Sequence, residues 1–188
     1  MTHLSSPGSG KLAPPKGGFA VDFKIGDKVV YPNHGIGVIE EIQKSPATET
    51  NGAYYRLRIL ANDSTVMVPA GNATQVGLRR VIPRKEIERV FGILQDGDIP
   101  IYSNWKGRFQ ENSNRMRTGE ILEVAAVLKN LSLLSQKKNL SYRERRMLDK
   151  ARYLVISEIA EVEKISETLA EERVDKAVAR SIRNVKDN

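Results

Sequence analysis

The chain has 188 residues, a net charge of +7 and no cysteine. Without cysteine there is no disulfide framework, no thiolate zinc site and no cysteine nucleophile. No run of 18 apolar residues is present, and the first residues lack a secretory signal pattern, so we expect a cytoplasmic protein without membrane contact. The change from strand patterns to helix patterns along the chain predicts two small cores rather than one.

The positive charge is concentrated in one segment. Residues 101–152 carry +7, from twelve basic and five acidic side chains, whereas residues 1–22 and 23–100 carry +1 each and residues 153–188 carry −2. A localised cationic surface favours contacts with nucleic-acid phosphates. A solvated helical face is the alternative explanation, and the charge alone does not decide between them.

The part of the chain before residue 100 predicts an arm followed by a small sheet. Residues 1–22 are rich in Ser, Pro, Gly and Lys, which predicts a disordered arm. From Phe23 onwards, short runs of β-forming residues alternate with turn residues, as at Asn51-Gly52, and predict a small antiparallel β-barrel or sheet with an exposed edge. In one run, Tyr55, Leu57 and Ile59 are predicted to face inward, with Arg56 and Arg58 facing out. Pro83 then opens a predicted helix with an apolar stripe of Ile87, Val90, Phe91 and Leu94.

The remainder of the chain predicts an all-α bundle. Residues 105–117 predict a short basic helix, and Thr118 is predicted to cap the next helix. Ser141 and Glu144 have the spacing of a capping box at the start of a long helix with a continuous apolar stripe. A last periodic set within residues 166–188 predicts a further helix. The predicted fold class is therefore α+β, with the sheet first and the helices after it.

No catalytic pattern is recognised in the sequence. A glycine-rich loop followed by Lys and Ser or Thr is missing, and the two histidines, His3 and His34, are far apart. Adjacent acidic residues such as Glu40 and Glu41 are typical of a solvated surface. We therefore predict no catalytic residues, no metal site and no cofactor, and we favour a binding module over an enzyme.

Trp105, the only tryptophan, stands where the strand patterns give way to helix patterns. Small, polar and basic residues surround it, from Ser103 to Arg108. A large aromatic residue among cations is typical of a nucleic-acid contact. A tryptophan packed inside the helical domain is the alternative.

The segment from Phe23 to Gly37 resembles the opening of the bacterial CarD/CdnL transcription regulators. The resemblance continues through Val66–Pro69, Asn104-Trp105 and Leu140–Arg152, and it covers roughly residues 23–163. It implies a Tudor-like domain that binds the β subunit of RNA polymerase, and a helical domain that lies on promoter DNA at the upstream edge of the melted bubble. Transcription-repair coupling factors share a similar polymerase-binding module, but their helicase motifs are missing here.

The helix that Pro83 opens is predicted to end at Asp96–Pro100, which sets a domain boundary, and the resemblance then implies the domain roles and two sets of site residues. The domains would be the Tudor-like domain with its terminal helix at 23–100, the DNA-binding domain at 101–165 and a helical tail at 166–188. Trp105 would insert as a wedge in the minor groove and slow collapse of the open complex. The implied DNA-binding residues are Trp105, Lys106, Arg108, Arg145, Arg146 and Lys150. The implied polymerase-binding residues are Lys44, Tyr55, Arg56, Arg58, Met67 and Pro69.

Three positions depart from the pattern of the family. Met67 and Ser45 stand where relatives can carry arginines that contact polymerase, and Gln110 replaces a basic residue. Near the predicted capping box, backbone amides are expected to assist Arg145 and Arg146 in binding phosphate.

The leading hypothesis is a non-enzymatic transcription regulator that stabilises the open complex. It would act as a monomer when bound to polymerase, and polymerase would hold it at the nucleoid. The first alternative is a protein-protein adaptor whose helical domain binds another protein instead of DNA. The second is an enzyme with an unrecognised site.

Overall fold

A computed structural model of the chain describes residues 22–44, 52–96 and 105–186. The predicted arm, apart from Asp22, and Ser45 lie outside the described residues. The described residues contain five strands: β1 (Lys28–Tyr31), β2 (Gly35–Lys44), β3 (Ala53–Ile59), β4 (Thr65–Pro69) and β5 (Arg79–Arg80). Five α-helices follow: α1 (Ile87–Gln95), α2 (Trp105–Thr118), α3 (Ile121–Lys137), α4 (Tyr142–Glu163) and α5 (Glu167–Lys186). The predicted α+β fold, with a Tudor-like sheet before the helices, is confirmed.

The sheet is antiparallel, with the strand order β4-β3-β2-β1-β5. The predicted alternation in β3 is confirmed, because Tyr55, Leu57 and Ile59 are buried while Arg56 and Arg58 lie on the other face. A fully closed barrel, which we considered, is not observed among the described strands. The edge strand β5 has only two residues and pairs with β1 alone, so β4 and β5 remain the two edges of an open sheet.

The inner face of the sheet covers a small apolar core of its own. Its buried members are Phe23, Val29, Ile39, Tyr55, Leu57, Val68, Ala73 and Leu78. The ring of Phe23 meets that of Tyr55 edge-on, with the ring centroids 5.4 Å apart. These contacts fix which face of β3 points inward and therefore which face meets solvent.

The larger core lies among the helices and includes α1. Ile87, Val90 and Leu94 are buried in one cluster with side chains of α3, α4 and α5. Our sequence-based division placed this helix with the sheet domain; its packing places its apolar face with the helices. Ala170 and Val174 of α5 are fully buried in the same cluster, so the last helix is docked on the bundle.

The start of α4 follows the prediction and the start of α3 does not. Ser141 Oγ accepts a hydrogen bond from the Glu144 amide at 3.3 Å, and Glu144 Oε2 accepts one from the Ser141 amide at 3.0 Å, which completes the capping box. The prediction that Thr118 caps α3 is wrong, because the residue preceding α3 is Glu120. Thr118 instead ends α2, and Gly119 follows it with a φ of 70°, a left-handed conformation that glycine adopts without strain.

A buried ion pair joins the sheet to the helices. Arg79 of β5 donates from Nη1 and Nη2 to the two carboxylate oxygens of Glu158 in α4, at 2.7 and 2.9 Å. Arg79 Nη2 also donates to the Gly119 carbonyl at 2.7 Å, and Glu158 accepts from the Ile82 amide at 3.0 Å. Pro32, in the turn between β1 and β2, packs so closely that a Cβ atom at Gly119 would lie 2.7 Å from its Cγ. The sheet and the helical bundle are therefore held in one relative orientation.

Candidate functional site

The helix α2 begins at Trp105, and its first two cations differ in exposure: Lys106 is open to solvent and Arg108 is not. The side chain of Trp105 and residues 97–104 lie outside what the structure describes. Lys106 is exposed. Arg108 is largely enclosed, with 13% of its side chain exposed, and it donates from Nε and Nη2 to Glu144 Oε1 at 3.1 and 2.7 Å. Arg108 therefore ties the start of α2 to the start of α4.

Glu144 is the acceptor at the centre of this contact, and 5% of its side chain is exposed. Burial raises the pKa of Glu144, but the hydrogen bonds from Arg108 and Ser141 outweigh it and hold the pKa below its ordinary value. The carboxylate is therefore ionised at neutral pH and compensates the charge of Arg108. The amides of Ser141 and Glu144 are engaged in the capping box, so these two amides do not offer the phosphate contact that we expected near Arg145 and Arg146.

The first turns of α4 present exposed cations and one exposed aromatic ring. Arg145 is exposed, and no described acidic side chain forms an ion pair with it. Arg146 donates from Nη1 to the Tyr142 hydroxyl at 3.1 Å, and its guanidinium carbon lies 5.8 Å from the centroid of the Tyr142 ring. Tyr142 itself is 73% exposed. One turn further on, the ammonium group of Lys150 lies 5.8 Å from the centroid of the Tyr153 ring.

A groove of about 420 Å³ runs between the β1–β2 turn, α2 and α4. Its lining residues are Asn33, Ser113, Met116, Arg117, Arg146, Met147 and Lys150. Three of them are cations and none is acidic, so we call it the cationic groove. The structure thus brings the predicted residues Arg146 and Lys150 together with Arg117, which the sequence-based prediction missed. The signal that pointed to Arg117 was the surplus charge of residues 101–152, which did not indicate which cations converge.

The outer face of the sheet carries most of the predicted polymerase-binding residues. Arg56 of β3 lies opposite Met67 of β4, and Met67 is 44% exposed. Arg58 donates from Nε to Glu40 Oε1 at 2.6 Å, and Arg56 donates from Nη1 to Glu41 Oε2 at 3.2 Å. The two arginines are therefore held in place by acidic side chains of the neighbouring strand.

Tyr55 lies on the wrong face for a contact with a partner. It is 5% exposed and belongs to the core of the sheet. Tyr54 lies on the outer face instead, opposite Pro69 of the edge strand β4. Lys44 ends β2, and its side chain lies outside the described part of the chain. Within the described residues β4 pairs only with β3, so its other edge is open.

The described residues contain neither a metal-binding cluster nor a helix that could span a membrane. No group of three or more His, Cys, Asp or Glu side chains is placed to hold a metal ion in residues 22–44, 52–96 and 105–186. In the same ranges, no helix combines the length and the apolar composition needed to cross a membrane.

Comparison with known proteins identifies the family. Residues 23–82 match the CarD-like/TRCF RID domain, and residues 89–175 match the CarD C-terminal domain. The chain is 34% identical to the Bacillus subtilis (strain 168) protein named "Putative transcription factor YdeB" over 145 residues, which are 77% of this chain and 95% of that protein. The chain belongs to the CarD family. The resemblance noted in the sequence is confirmed, and the chain is a member of a family of transcription regulators.

The two CarD-family matches divide the chain near the start of α1. The first match ends at residue 82, after β5, and the second begins at residue 89, inside α1. The second match extends to residue 175 and so includes the part of α5 that carries Ala170 and Val174. The CarD C-terminal domain therefore spans the helices that share the larger core.

Proposed function

We propose that this CarD-family protein is a non-enzymatic regulator that binds the RNA polymerase β subunit with its sheet and promoter DNA with α2 and α4, and that it stabilises the open complex. The observation that carries the DNA contact is the convergence of unpaired cations on one surface. Arg117, Arg146 and Lys150 line the cationic groove, and no described acidic side chain forms an ion pair with any of them. Each cation that neutralises a phosphate releases counterions and so adds to affinity.

The outer face and open edge of the sheet support the polymerase contact. Arg56 and Arg58 are held by acidic side chains of β2, so little side-chain freedom is lost when a partner binds. Met67 adds an exposed apolar contact beside them. The free edge of β4 can pair with a strand of the β subunit. Lys44 and Pro69 complete the proposed surface, and Tyr54 takes the place that we assigned to Tyr55.

The fixed junction between the sheet and the helices explains how two weak contacts would act together. Because Arg79 and Glu158 hold the two parts in one orientation, polymerase binding places α2 and α4 at a set position on the DNA. A Trp105 wedge would trade unstacking, on the order of a few kcal/mol, for contact with distorted DNA. Every ~1.4 kcal/mol by which the open complex is favoured over the collapse transition state lengthens its lifetime about tenfold.

The test is the lifetime of the open complex on a promoter with matched RNA polymerase. Trp105→Ala and the double change Arg145→Ala/Arg146→Ala should each lose the lengthening that the native chain produces, while polymerase binding stays intact. Arg84→Ala is the matched control, because Arg84 is an exposed cation on a different element, the short 3₁₀ helix before α1. It should leave the lifetime unchanged.

Two outcomes would contradict the proposal. An unchanged lifetime for Trp105→Ala, with folding and polymerase binding normal, would remove the wedge from the mechanism. DNA affinity that stays flat across a salt series would contradict phosphate neutralisation and would favour the adaptor alternative, in which the helices bind another protein.

A further inference from the structure

Tyr142 is an aromatic side chain that packs in neither of the two apolar cores. It is the first residue of α4 and is 73% exposed. An aromatic ring in water carries a large apolar surface whose burial against a partner is favourable. The ring is also held in place, because Arg146 binds its hydroxyl at 3.1 Å and sets its guanidinium carbon 5.8 Å from the ring centroid. Tyr142 and Arg146 therefore form one exposed surface that joins an aromatic ring to a cation, which we call the tyrosine platform.

Arg146 belongs to the tyrosine platform and also to the cationic groove. The groove adds Arg117 from α2 and Lys150 from α4, with Ser113 and Asn33 as neutral hydrogen-bonding side chains. The groove is open to solvent along its length, with a volume of about 420 Å³, so it can receive part of an extended chain. A ligand that fits both parts must carry a flat aromatic group and, next to it, an anion.

We propose that the tyrosine platform and the cationic groove together bind single-stranded DNA, with an unpaired base stacked on Tyr142 and the adjoining phosphate between Arg117, Arg146 and Lys150. The combination of a stacking ring and a basic groove that follows the backbone is the general arrangement for single strands. The proposal rests on the proposed function, since it specifies which form of promoter DNA this surface holds.

The choice of single strand over duplex follows from what a ring face can contact. Inside a duplex the faces of the bases are covered by their neighbours, and only the base edges are open in the grooves. Stacking on a base inside a duplex requires unstacking of a base step, which costs on the order of a few kcal/mol, so a ring such as that of Tyr142 stacks more favourably on a base that has already left the duplex. At a melted promoter, a base held in this way would be unavailable for re-pairing, so the platform would oppose collapse of the bubble from α4.

The groove also favours DNA over an acidic protein segment. Among the described residues that line it, all charged side chains are positive, which suits phosphate and acidic peptides alike. A nucleotide chain, however, supplies an aromatic group and an anion at every step, so it can satisfy the ring of Tyr142 and the groove at the same time.

The experiment compares binding of the full chain to a short single-stranded oligonucleotide and to the duplex of the same sequence, at fixed salt. Tyr142→Ala should weaken single-strand affinity about 5- to 150-fold, as expected for one lost base-stacking contact, and should leave duplex affinity within about twofold. Tyr142→Phe should retain most of the affinity, because it keeps the ring. A 2-aminopurine placed in the single strand should be quenched by the native chain and not by Tyr142→Ala.

Two further variants separate the platform from the groove. Arg117→Ala/Lys150→Ala should weaken both forms of DNA and make the dependence of affinity on salt shallower. Leu169→Ala is the control, because Leu169 is a 44% exposed apolar side chain on α5, away from the groove. It should change neither affinity, and all variants should keep the native melting temperature.

The outcomes distinguish failure of this inference from failure of the proposed function. If Tyr142→Ala changes single-strand and duplex affinity equally, or changes neither, the tyrosine platform is not a base-stacking site and the proposed function stands. If the native chain binds neither form, both are wrong. If a polyglutamate peptide binds and its affinity falls with Tyr142→Ala as strongly as that of the oligonucleotide, the platform serves a protein partner.

Discussion

Glu158→Ala is expected to destabilise the fold strongly, because the Glu158 carboxylate satisfies three donors at the junction of sheet and helices. Arg79 contributes two of these hydrogen bonds, at 2.7 and 2.9 Å, and the Ile82 amide contributes the third at 3.0 Å. Only 3% of the Glu158 side chain and 17% of the Arg79 side chain are exposed. Water has little access to this position, so the three hydrogen bonds lost with the carboxylate are poorly replaced.

The expected loss of unfolding free energy is about 3–5 kcal/mol, the range measured when one member of a buried pair is removed and the other is left uncompensated. For a chain of this size that corresponds to a fall in melting temperature of roughly 6–20 °C. Urea denaturation followed by circular dichroism would measure it. The control is Glu161→Ala, which removes ion pairs with two exposed lysines, Lys28 (40% exposed) and Lys164 (73% exposed), and should cost about 1 kcal/mol or less.

A double-mutant cycle with Arg79→Ala tests the cause of this loss. If the uncompensated charge dominates, Arg79→Ala/Glu158→Ala should be clearly more stable than the sum of the two single losses predicts, by about 0.5–3 kcal/mol. Additive losses, or a loss from Glu158→Ala no larger than that from Glu161→Ala, would refute the reasoning. In that case the packing of Pro32 against Gly119 would hold the junction.

Three further predictions concern single sites. Burial opposes ionisation of Glu144, but the hydrogen bonds from Arg108 and the capping box outweigh burial and lower its pKa. The ionised Glu144 side chain therefore adds to the unfolding free energy above pH ~4.5, and this contribution is lost as the pH falls through the lowered pKa of the folded state. Below pH ~4.5 the urea midpoint of Glu144→Gln should therefore fall less steeply than that of the native chain; equal slopes would contradict this. Gly119→Ala should cost about 1–3 kcal/mol in thermal melts, because its φ is 70° and the new Cβ would lie 2.7 Å from Pro32 Cγ. Pro32→Ala should recover part of that loss, and no recovery would exclude the clash. Leu131→Ala should lower the urea-derived unfolding free energy by about 2–5 kcal/mol, since Leu131 is 0% exposed in the helical core; a loss under ~1 kcal/mol would mean that the site collapses around the cavity.

Features with a short-range cause were predictable from the sequence. The alternation in β3 depends only on the two-residue period of a strand, and the capping box at Ser141 and Glu144 depends on a spacing of three residues. Thr118 shows where local signals become ambiguous. A threonine between two helical patterns can end the first helix or cap the second. Here Thr118 ends α2, because Gly119 after it adopts a left-handed conformation that stops the helix.

Features with a long-range cause were not predictable from the sequence. Arg108 counts as surplus charge in any tally along the chain, and its partner Glu144 is 36 residues away. Tyr55 is a different kind of error, because its own alternation pattern had already placed it inside. Assigning it to a polymerase contact set the implied family role above that local pattern, and the burial of Tyr55 shows that the pattern was the better guide.

The net charge of residues 101–152 does not show which of their cations are available to a partner, because several are already paired within the protein. Of the twelve basic residues in 101–152, Arg108, Arg115 and Arg152 form ion pairs with acidic side chains, and Lys129 is 5% exposed. The pair between Arg108 and Glu144 fixes the start of α2 against the start of α4 and would in this way position the proposed DNA-binding surface. Of the remaining cations, Arg117, Arg146 and Lys150 line the groove, and Arg143 and Arg145 lie in the first turns of α4. Paired cations such as Arg108 hold the helices in place, and the unpaired cations of the groove are the ones that the proposed DNA contact uses.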